Sequence, residues 1–289
     1  MTAPLLACVV LAHADPAQVQ RLVRALDPFP VVLHCDVSSP DAVFEAMTAD
    51  LPDRCHVLPR MRTGWARWEN VAAELEGYRA ALATGATHVA MLTGTDYPLA
   101  PTSEIEDLLR AHAGVSFASL QELPFPQWRG GGYPRLRYRH WPVGKRMLRL
   151  PLPRRLPSDV RFAGGSQMKV LSAEHARAVV AAADARPDLV AFFRRSWVPD
   201  ETFVPSVLST PDLVPGWSGH HVDSALWWID WERSAGKSPA WIGADQEADV
   251  LARVPDENGQ APVFARKFRS DGSGDVLRRI DEHRSGGDR

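Results

Sequence analysis

The sequence is poor in cysteine, in lysine and in long apolar runs. Its three cysteines, Cys8, Cys35 and Cys55, include no CxxC pair, which argues against a disulfide framework and against a zinc site. We therefore expect free thiols and a cytoplasmic protein. No apolar segment reaches the ~20 residues that a membrane-spanning helix needs. Lysine supplies only four of the 33 basic residues, and the net charge of −2 gives no global reason to expect a nucleic acid or an anionic membrane as partner.

Strands and helices alternate through the first 120 residues. No Lys or Arg precedes the short apolar run at the N-terminus, so we expect a buried first strand rather than a signal peptide. The predicted strands are residues 5–11, 31–34, 55–58 and 88–92, and the predicted helices are residues 16–26, 40–47 and 68–82. This alternation predicts βαβ units and an α/β fold with a mostly parallel sheet. We expect one domain over residues 1–280 and a frayed tail over residues 281–289.

Residues 124–157 interrupt this alternation. The segment combines aromatic side chains with eight arginines and one lysine, and it contains no Asp or Glu. A long irregular segment of this kind is typical of a binding loop or lid. Its side chains could contact single-stranded nucleic acid or pack against a sugar ring, or the segment could be a solvated loop over one edge of the sheet.

Two acidic residues follow predicted strands. Asp36 comes just after the strand at 31–34, and Asp96 lies in the polar run after the strand at 88–92. In open α/β sheets, ligands bind at the carboxyl ends of the strands, where Asp36 could accept hydrogen bonds from a ribose or a pyrimidine N–H. Both acids would equally suit tight turns.

Glu201 is a candidate general base. It follows Pro199 and Asp200 and lies in the first turn of a helix that we predict over residues 200–208. The helix dipole favours a carboxylate there by ~0.3–1 kcal/mol and keeps it ionised, as a general base must be. The same dipole would favour an acid at this position for stability alone.

Two adjacent cations, Arg266 and Lys267, follow a strand predicted over residues 262–265. Neighbouring strand residues point to opposite faces, so both can reach one ligand only if the strand ends here. Lysine is a point charge and arginine a fork that suits phosphate oxygens. The alternative is a charged strand end that meets solvent.

A metal is not expected from the sequence. No Asp-x-Asp triplet occurs, and the adjacent His220 and His221, near Asp223, suit chelation poorly. A carboxylate base and a fixed pair of cations are what a group-transfer enzyme needs if it expels a diphosphate without a metal.

Short motifs follow one another along nearly the whole chain. They are His13 after the first strand, RLVRAL at 21–26, HCD at 34–36, WARWENVAAEL at 65–75, LTGTDYPL at 92–99, GSQMKVLS at 165–172, PDE at 199–201, IDW at 229–231, SP at 238–239 and FARKF at 264–268. In this order they resemble the core-2/I-branching glycosyltransferase family, which includes branching β-1,6-N-acetylglucosaminyltransferases and peptide xylosyltransferases. The resemblance covers residues 5–280. Both family glycines after Trp65 are replaced, and Met168 stands where a Trp is usual, so we expect an altered pocket.

The resemblance implies an inverting enzyme with a GT-A-type α/β/α sandwich fold. Golgi members of the family carry a membrane anchor and disulfides, and because this chain shows neither we expect a bacterial enzyme. Such an enzyme would move N-acetylglucosamine or xylose from a UDP-sugar to an acceptor hydroxyl, with no metal or other cofactor. The residues that the resemblance assigns are Glu201 as catalytic base, His13, Asp36, Trp65, Arg266 and Lys267 for the nucleotide, and Asp96, Tyr97, Gly165, Ser166, Asp200 and Trp231 for the donor or acceptor pocket. The implied partners are a nucleotide sugar and a glycan, peptide, polymer or small-molecule acceptor, without nucleic acid or a transmembrane segment.

Two other hypotheses stay open at this point. One is a non-catalytic nucleotide- or carbohydrate-binding protein that keeps the fold but has no turnover. The other is an RNA-binding protein that uses the segment at 124–157, which would show steep salt dependence with oligonucleotides.

Overall fold

A seven-stranded sheet organises the computed structural model, which describes residues 3–126, 128–144, 146–234, 236 and 238–287. The first elements are β1 Leu6–Ala12, α1 Pro16–Ala25, β2 Val31–Cys35, α2 Asp41–Thr48, β3 Cys55–Val57, α3 Trp68–Ala83, β4 His88–Thr93, β5 Asp96–Pro98, α4 Thr102–Ala111, β6 Ser116–Phe117 and β7 Leu120–Glu122. The chain continues with α5 Tyr133–Arg137, β8 Tyr138–Val143, β9 Arg146–Pro153, β10 Ala163–Gly165, β11 Lys169–Ser172, α6 Ala173–Ala185, α7 Pro187–Phe193, α8 Phe203–Ser209, β12 His221–Val222, β13 Trp227–Ile229, α9 Glu247–Ala252, β14 Phe264–Arg266 and α10 Gly274–Gly287.

The strand order in the large sheet is β12-β6-β11-β4-β1-β2-β3. Strands β4, β1, β2 and β3 run parallel to one another, whereas β11 runs antiparallel to both of its neighbours, β4 and β6. Buried parallel strands read as continuous apolar runs, which is why the sequence revealed β1, β2 and β4. The predicted α/β fold with a mostly parallel sheet is confirmed.

Helices cover both faces of this sheet. Alternate residues of β1 point to opposite sides, so Cys8 and Val10 enter one buried cluster with α1, α4 and α10, while Ala7 and Val9 enter another with α3, α6 and α8. On the second face, α3 lies so close to β1 that a Cβ on Gly77 would be 2.3 Å from a methyl of Val9. This is the predicted α/β/α arrangement.

A second, three-stranded sheet lies beside the first, with the order β13-β14-β5. Its strand β14 pairs with β5 so that Arg266 stands opposite Asp96, and with β13 so that Arg266 stands opposite Ile229. Through this register, residues that are far apart in sequence meet where β4 gives way to β5.

Several sequence predictions are corrected by the structure. The irregular loop expected over residues 124–157 instead forms a 3-10 turn, α5 and the antiparallel hairpin β8–β9. The tail predicted to be frayed from residue 281 continues α10 as far as residue 287, because Val276, Leu277 and Ile280 are buried in the core; residues 288 and 289 lie outside the described residues. The helix predicted over residues 200–208 is divided into a 3-10 turn and α8.

All three cysteines are free, as expected, with Cys8 and Cys35 buried and Cys55 half-buried. Among the described residues, no helix has both the length and the apolar character needed to cross a membrane.

Candidate active site

The carboxyl ends of the central parallel strands meet at one edge of the large sheet. Strands β1 and β2 end in register at Ala12 and Cys35, and β4 ends beside them at Thr93. The next residues along the chain, the exposed His13 and the buried Asp36, therefore lie at this edge. This is where ligands bind in open α/β sheets.

Asp36 holds the loop that leads to Trp65. One carboxylate oxygen accepts hydrogen bonds from the Ser38 amide and hydroxyl at 2.6 and 2.5 Å, and the other accepts from the Thr63 amide at 2.8 Å and from its hydroxyl. Burial opposes ionisation, but these bonds lower the pKa of Asp36 to about 2, so the group is a fixed anion. Its contact with a nucleoside stays a prediction, as does that of Trp65, which is 60% exposed.

The buried Asp96 and the half-buried Arg266 form an ion pair beside this edge. The carboxylate of Asp96 accepts hydrogen bonds from the Thr93 amide at 2.8 Å and from its hydroxyl at 2.9 Å, and the Arg266 Nε lies 3.5 Å from it. Burial raises the pKa of Asp96, and the charge of Arg266 opposes that rise. The Arg266 Nη1 lies 2.8 Å from the Met168 sulfur, at the position where the family usually has a Trp.

Lys267 comes directly after β14, which ends at Arg266. Strand alternation therefore no longer separates the two cations. The ammonium of Lys267 donates to the Ser238 hydroxyl at 2.9 Å and lies 4.2 Å from the centre of the Trp241 ring. Burial, and then the charge of Arg266, lower the pKa of Lys267. The two cations are thus close enough to repel each other, which favours a bound anion.

Glu201 is the last residue of the 3-10 turn Pro199–Glu201. Its side chain is 37% exposed, and its Oε2 accepts a hydrogen bond of 2.5 Å from the Arg135 guanidinium. That guanidinium in turn lies 3.5 Å from the centre of the Trp128 ring. A carboxylate that meets solvent can be reached by a bound hydroxyl, and the arginine fixes the orientation of the carboxylate.

Aromatic rings continue from this carboxylate toward Trp65. The Trp197 ring lies 5.4 Å from the Arg135 guanidinium, and the Trp65 ring meets Trp197 edge-on at 6.2 Å. An exposed aromatic face such as that of Trp65 can pack against a sugar ring. Trp197 and Arg135 connect this ring to Glu201 in one set of contacts.

A buried ion pair connects the elements that lie next to the site. The Lys169 ammonium lies 2.9 Å from the Oε1 of Glu74, and the same oxygen accepts a hydrogen bond of 2.6 Å from the Tyr78 hydroxyl. The side chains of Lys169 and Glu74 are at most 1% exposed. Lys169 also donates to the Gln167 carbonyl at 2.6 Å. The pair therefore ties α3 to β11 and to the turn that carries Met168.

Asp200 is buried next to Glu201. Burial, and then the charge of Glu201, raise the pKa of Asp200 to about 7, and Glu74 adds to the rise. Its Oδ1 has no hydrogen-bond partner among the described residues. Asp200 is therefore part of the support beneath the turn rather than an exposed contact.

The remaining predicted residues occupy different places. Gly165 is packed so that a Cβ would lie 2.4 Å from the Ser119 carbonyl oxygen, which also accepts the Ser166 amide at 3.0 Å. Trp231 is 57% exposed and lies two residues beyond the end of β13, the strand beside Arg266. Tyr97 is not brought to the others: it points away from Asp96, and its hydroxyl donates to Asp281 in α10 at 2.7 Å.

Sequence reasoning missed Arg135, Glu74 and Lys169. Arg135 lies 66 positions from Glu201, and no spacing rule connects them. Lys169 did carry a signal, because a lysine inside an apolar strand needs a buried partner. Within the described ranges, no three His, Cys, Asp or Glu side chains are grouped so that they could hold a metal ion; that the reaction needs no metal stays a prediction.

Comparisons with known proteins identify the family. The sequence model of the core-2/I-branching enzyme family matches residues 7–250. A search of curated proteins finds no match. Among solved structures, the chain is similar to mouse xyloside xylosyltransferase 1 in its apo form, with 13% identity, a TM-score of 0.36, and coverage of 90% of this chain and 97% of that one.

This chain is also similar to a mannose-1-phosphate geranyltransferase from Thermus thermophilus, with 15% identity and a TM-score of 0.32. That alignment covers 65% of this chain and 64% of the other, which is less than two thirds of its length. The family assignment rests on the sequence match, which spans most of the chain. The chain therefore belongs to the core-2/I-branching enzyme family, and it is a glycosyltransferase.

Proposed function

We propose that this glycosyltransferase moves a sugar, N-acetylglucosamine or xylose, from a UDP-sugar to an acceptor hydroxyl with inversion and without a metal. The observation that carries the proposal is the pair of cations at the end of β14, where burial and the charge of Arg266 lower the pKa of Lys267. Two like charges held together in a partly buried site are stabilised by a bound diphosphate. An arginine fork and a lysine suit its oxygens.

Glu201 would act as the base. It would take the proton of the acceptor hydroxyl as that oxygen attacks the anomeric carbon, and the bond from this carbon to the diphosphate would break. Arg266 and Lys267 would stabilise the negative charge that develops on the leaving UDP, a role for which fixed charges need no reorganisation. The hydrogen bond from Arg135 would aim the carboxylate at the acceptor.

The nucleoside would lie along the edge formed by His13, Asp36 and Trp65. The acceptor would lie near Glu201 and the aromatic rings beside it, with Trp231 as a further wall. Family membership, together with the presence of Glu201, Arg266 and Lys267, supports this enzyme over a binding protein without turnover and over an RNA-binding protein.

Calorimetric titration of UDP in EDTA, with GDP and dTDP alongside, tests the proposal. We expect UDP to bind in EDTA and Mn²⁺ to change its affinity little. Charge-assisted hydrogen bonds contribute ~1.5–3 kcal/mol, so Arg266→Ala and Lys267→Ala should each weaken UDP binding by about tenfold or more. Arg278→Ala, on the exposed side of α10, is the control.

Two outcomes would contradict the proposal. If UDP bound only with Mn²⁺, the cations of β14 would not replace a metal. If Arg266→Ala and Lys267→Ala bound UDP as tightly as the unmodified protein, these residues would not hold the diphosphate.

A further inference from the structure

The near-zero net charge hides a strong separation of charge. Residues 124–157 contain nine of the 33 Lys and Arg residues and none of the 35 Asp and Glu residues. The remaining chain therefore has 24 basic and 35 acidic residues, a balance of −11, against +9 for this segment. Three of these nine basic residues, Arg139, Arg146 and Arg149, are exposed on the β8–β9 hairpin.

The same hairpin exposes apolar side chains. Trp141 pairs with Leu148, and Val143 pairs with Arg146, so these four side chains share one face. Val143 is 59% exposed and Leu148 is 53% exposed, and Leu152, further along β9, is 72% exposed. Of the eight large apolar side chains that are exposed in the described part of the chain, three thus lie on this hairpin. Such clusters mark interaction sites.

The opposite face of the hairpin is attached to the body of the protein. His140 is buried and stacks on Trp197 at 6.3 Å, and its amide donates to the Arg195 carbonyl at 2.8 Å. At the turn, Arg67 donates to the Gly144 carbonyl at 2.6 Å. The apolar and cationic face is therefore held outward in a fixed orientation.

We propose that this outer face of the β8–β9 hairpin docks onto an anionic phospholipid surface. Val143, Leu148 and Leu152 would enter the boundary between head groups and acyl chains, and the arginines would contact lipid phosphates. A soluble polyanion would match the charge but would leave the apolar side chains in water. A second copy docked hairpin on hairpin would bring two strongly positive segments together. The surface does not depend on the donor sugar or on the catalytic residues proposed above.

Cosedimentation with vesicles tests the proposal on the full chain. We expect at least tenfold stronger binding to phosphatidylcholine vesicles with about 30% phosphatidylglycerol than to phosphatidylcholine alone. The double substitution Leu148→Ser with Leu152→Ser should weaken that binding at least tenfold. Val254 is 70% exposed but lies outside the hairpin, so Val254→Ser is the control and should leave binding unchanged. Each arginine near an anionic surface contributes about fivefold, so Arg146→Ala, on the same face as Leu148, should weaken binding about fivefold, and added salt should weaken it further.

Three results would overturn the proposal. The first is equal or no sedimentation with the two kinds of vesicle. The second is binding to heparin or an oligonucleotide as strong as to the anionic vesicles and insensitive to the leucine substitutions, which would indicate a soluble polyanion. The third is a dimer in analytical ultracentrifugation that the leucine substitutions dissociate, which would indicate a second copy as the partner.

Discussion

The buried carboxyl of Asp200 should make the stability of this protein depend on pH, and one substitution should remove that dependence. Burial, reinforced by the charge of Glu201, raises the pKa of Asp200 from an ordinary 3.8 to about 7. A group whose pKa is higher in the folded state holds its proton more tightly there. Its stabilising contribution is therefore complete below about pH 4 and is lost as the pH rises through 7.

The size of the effect follows from the two pKa values of Asp200. They differ by about 3, and one pKa unit corresponds to about 1.36 kcal/mol, so ionisation costs the folded state up to ~4 kcal/mol. About 2–3 kcal/mol of this falls between pH 5 and pH 8. Asp200→Asn has the same shape without the charge. Its free energy of unfolding, relative to that of the unmodified protein, should rise by that amount over this range.

Urea unfolding, followed by tryptophan fluorescence at pH 5, 6, 7 and 8, measures this difference. Other titrating groups are the same in both proteins and cancel in the comparison. Asp212→Asn, at an exposed position, is the control and should follow the unmodified protein at every pH. If Asp200→Asn also stayed parallel to the unmodified protein, Asp200 would ionise at an ordinary pH and the argument from burial would be refuted.

Three further substitutions test the support of the site. Lys169→Met leaves Glu74 buried without its cation and should cost ~3–5 kcal/mol in urea unfolding; adding Glu74→Gln should restore much of this, and a cost below about 1 kcal/mol would refute the pairing. Arg135→Ala should lower kcat about 10- to 100-fold at unchanged UDP affinity, because its charge-assisted bond to Glu201 of ~1.5–3 kcal/mol is lost. Arg137→Ala is the control, and an equal loss of kcat in it would indicate a general effect of charge. Gly165→Ala forces a Cβ to 2.4 Å from a carbonyl oxygen and should cost ~1–3 kcal/mol in thermal unfolding; an unchanged melting temperature would contradict the close packing.

Most of the central sheet could be predicted from the sequence because its strands are buried on both faces. Strands β1, β2 and β4 are mainly apolar, with His34 and His88 buried among the apolar residues, and the polar residues after the strands mark their ends. The β8–β9 hairpin showed no such pattern, because Pro142, Pro151 and Pro153 and several arginines interrupt its alternation. Helix α10 was missed because its polar composition conceals a narrow buried stripe.

The candidate site could be predicted only where the chemistry lies within one short motif. Arg266 and Lys267 are adjacent, and both could reach one ligand only if the strand ended here, as β14 does at Arg266. The bond between Arg135 and Glu201 and the pair of Lys169 and Glu74 are contacts between distant segments. Their partners are chosen by how the helices pack on the sheet, which no local spacing encodes.

Release of UDP from UDP-sugars by Glu201→Gln tests the central claim most directly. The amide keeps the shape of the side chain and removes its ability to accept a proton, and Glu257→Gln, at an exposed position, is the matched control. We predict that Glu201→Gln loses turnover of any donor that the unmodified protein uses, while its calorimetric affinity for UDP is unchanged. Turnover within a few-fold of the unmodified rate would contradict the role of Glu201 as the base.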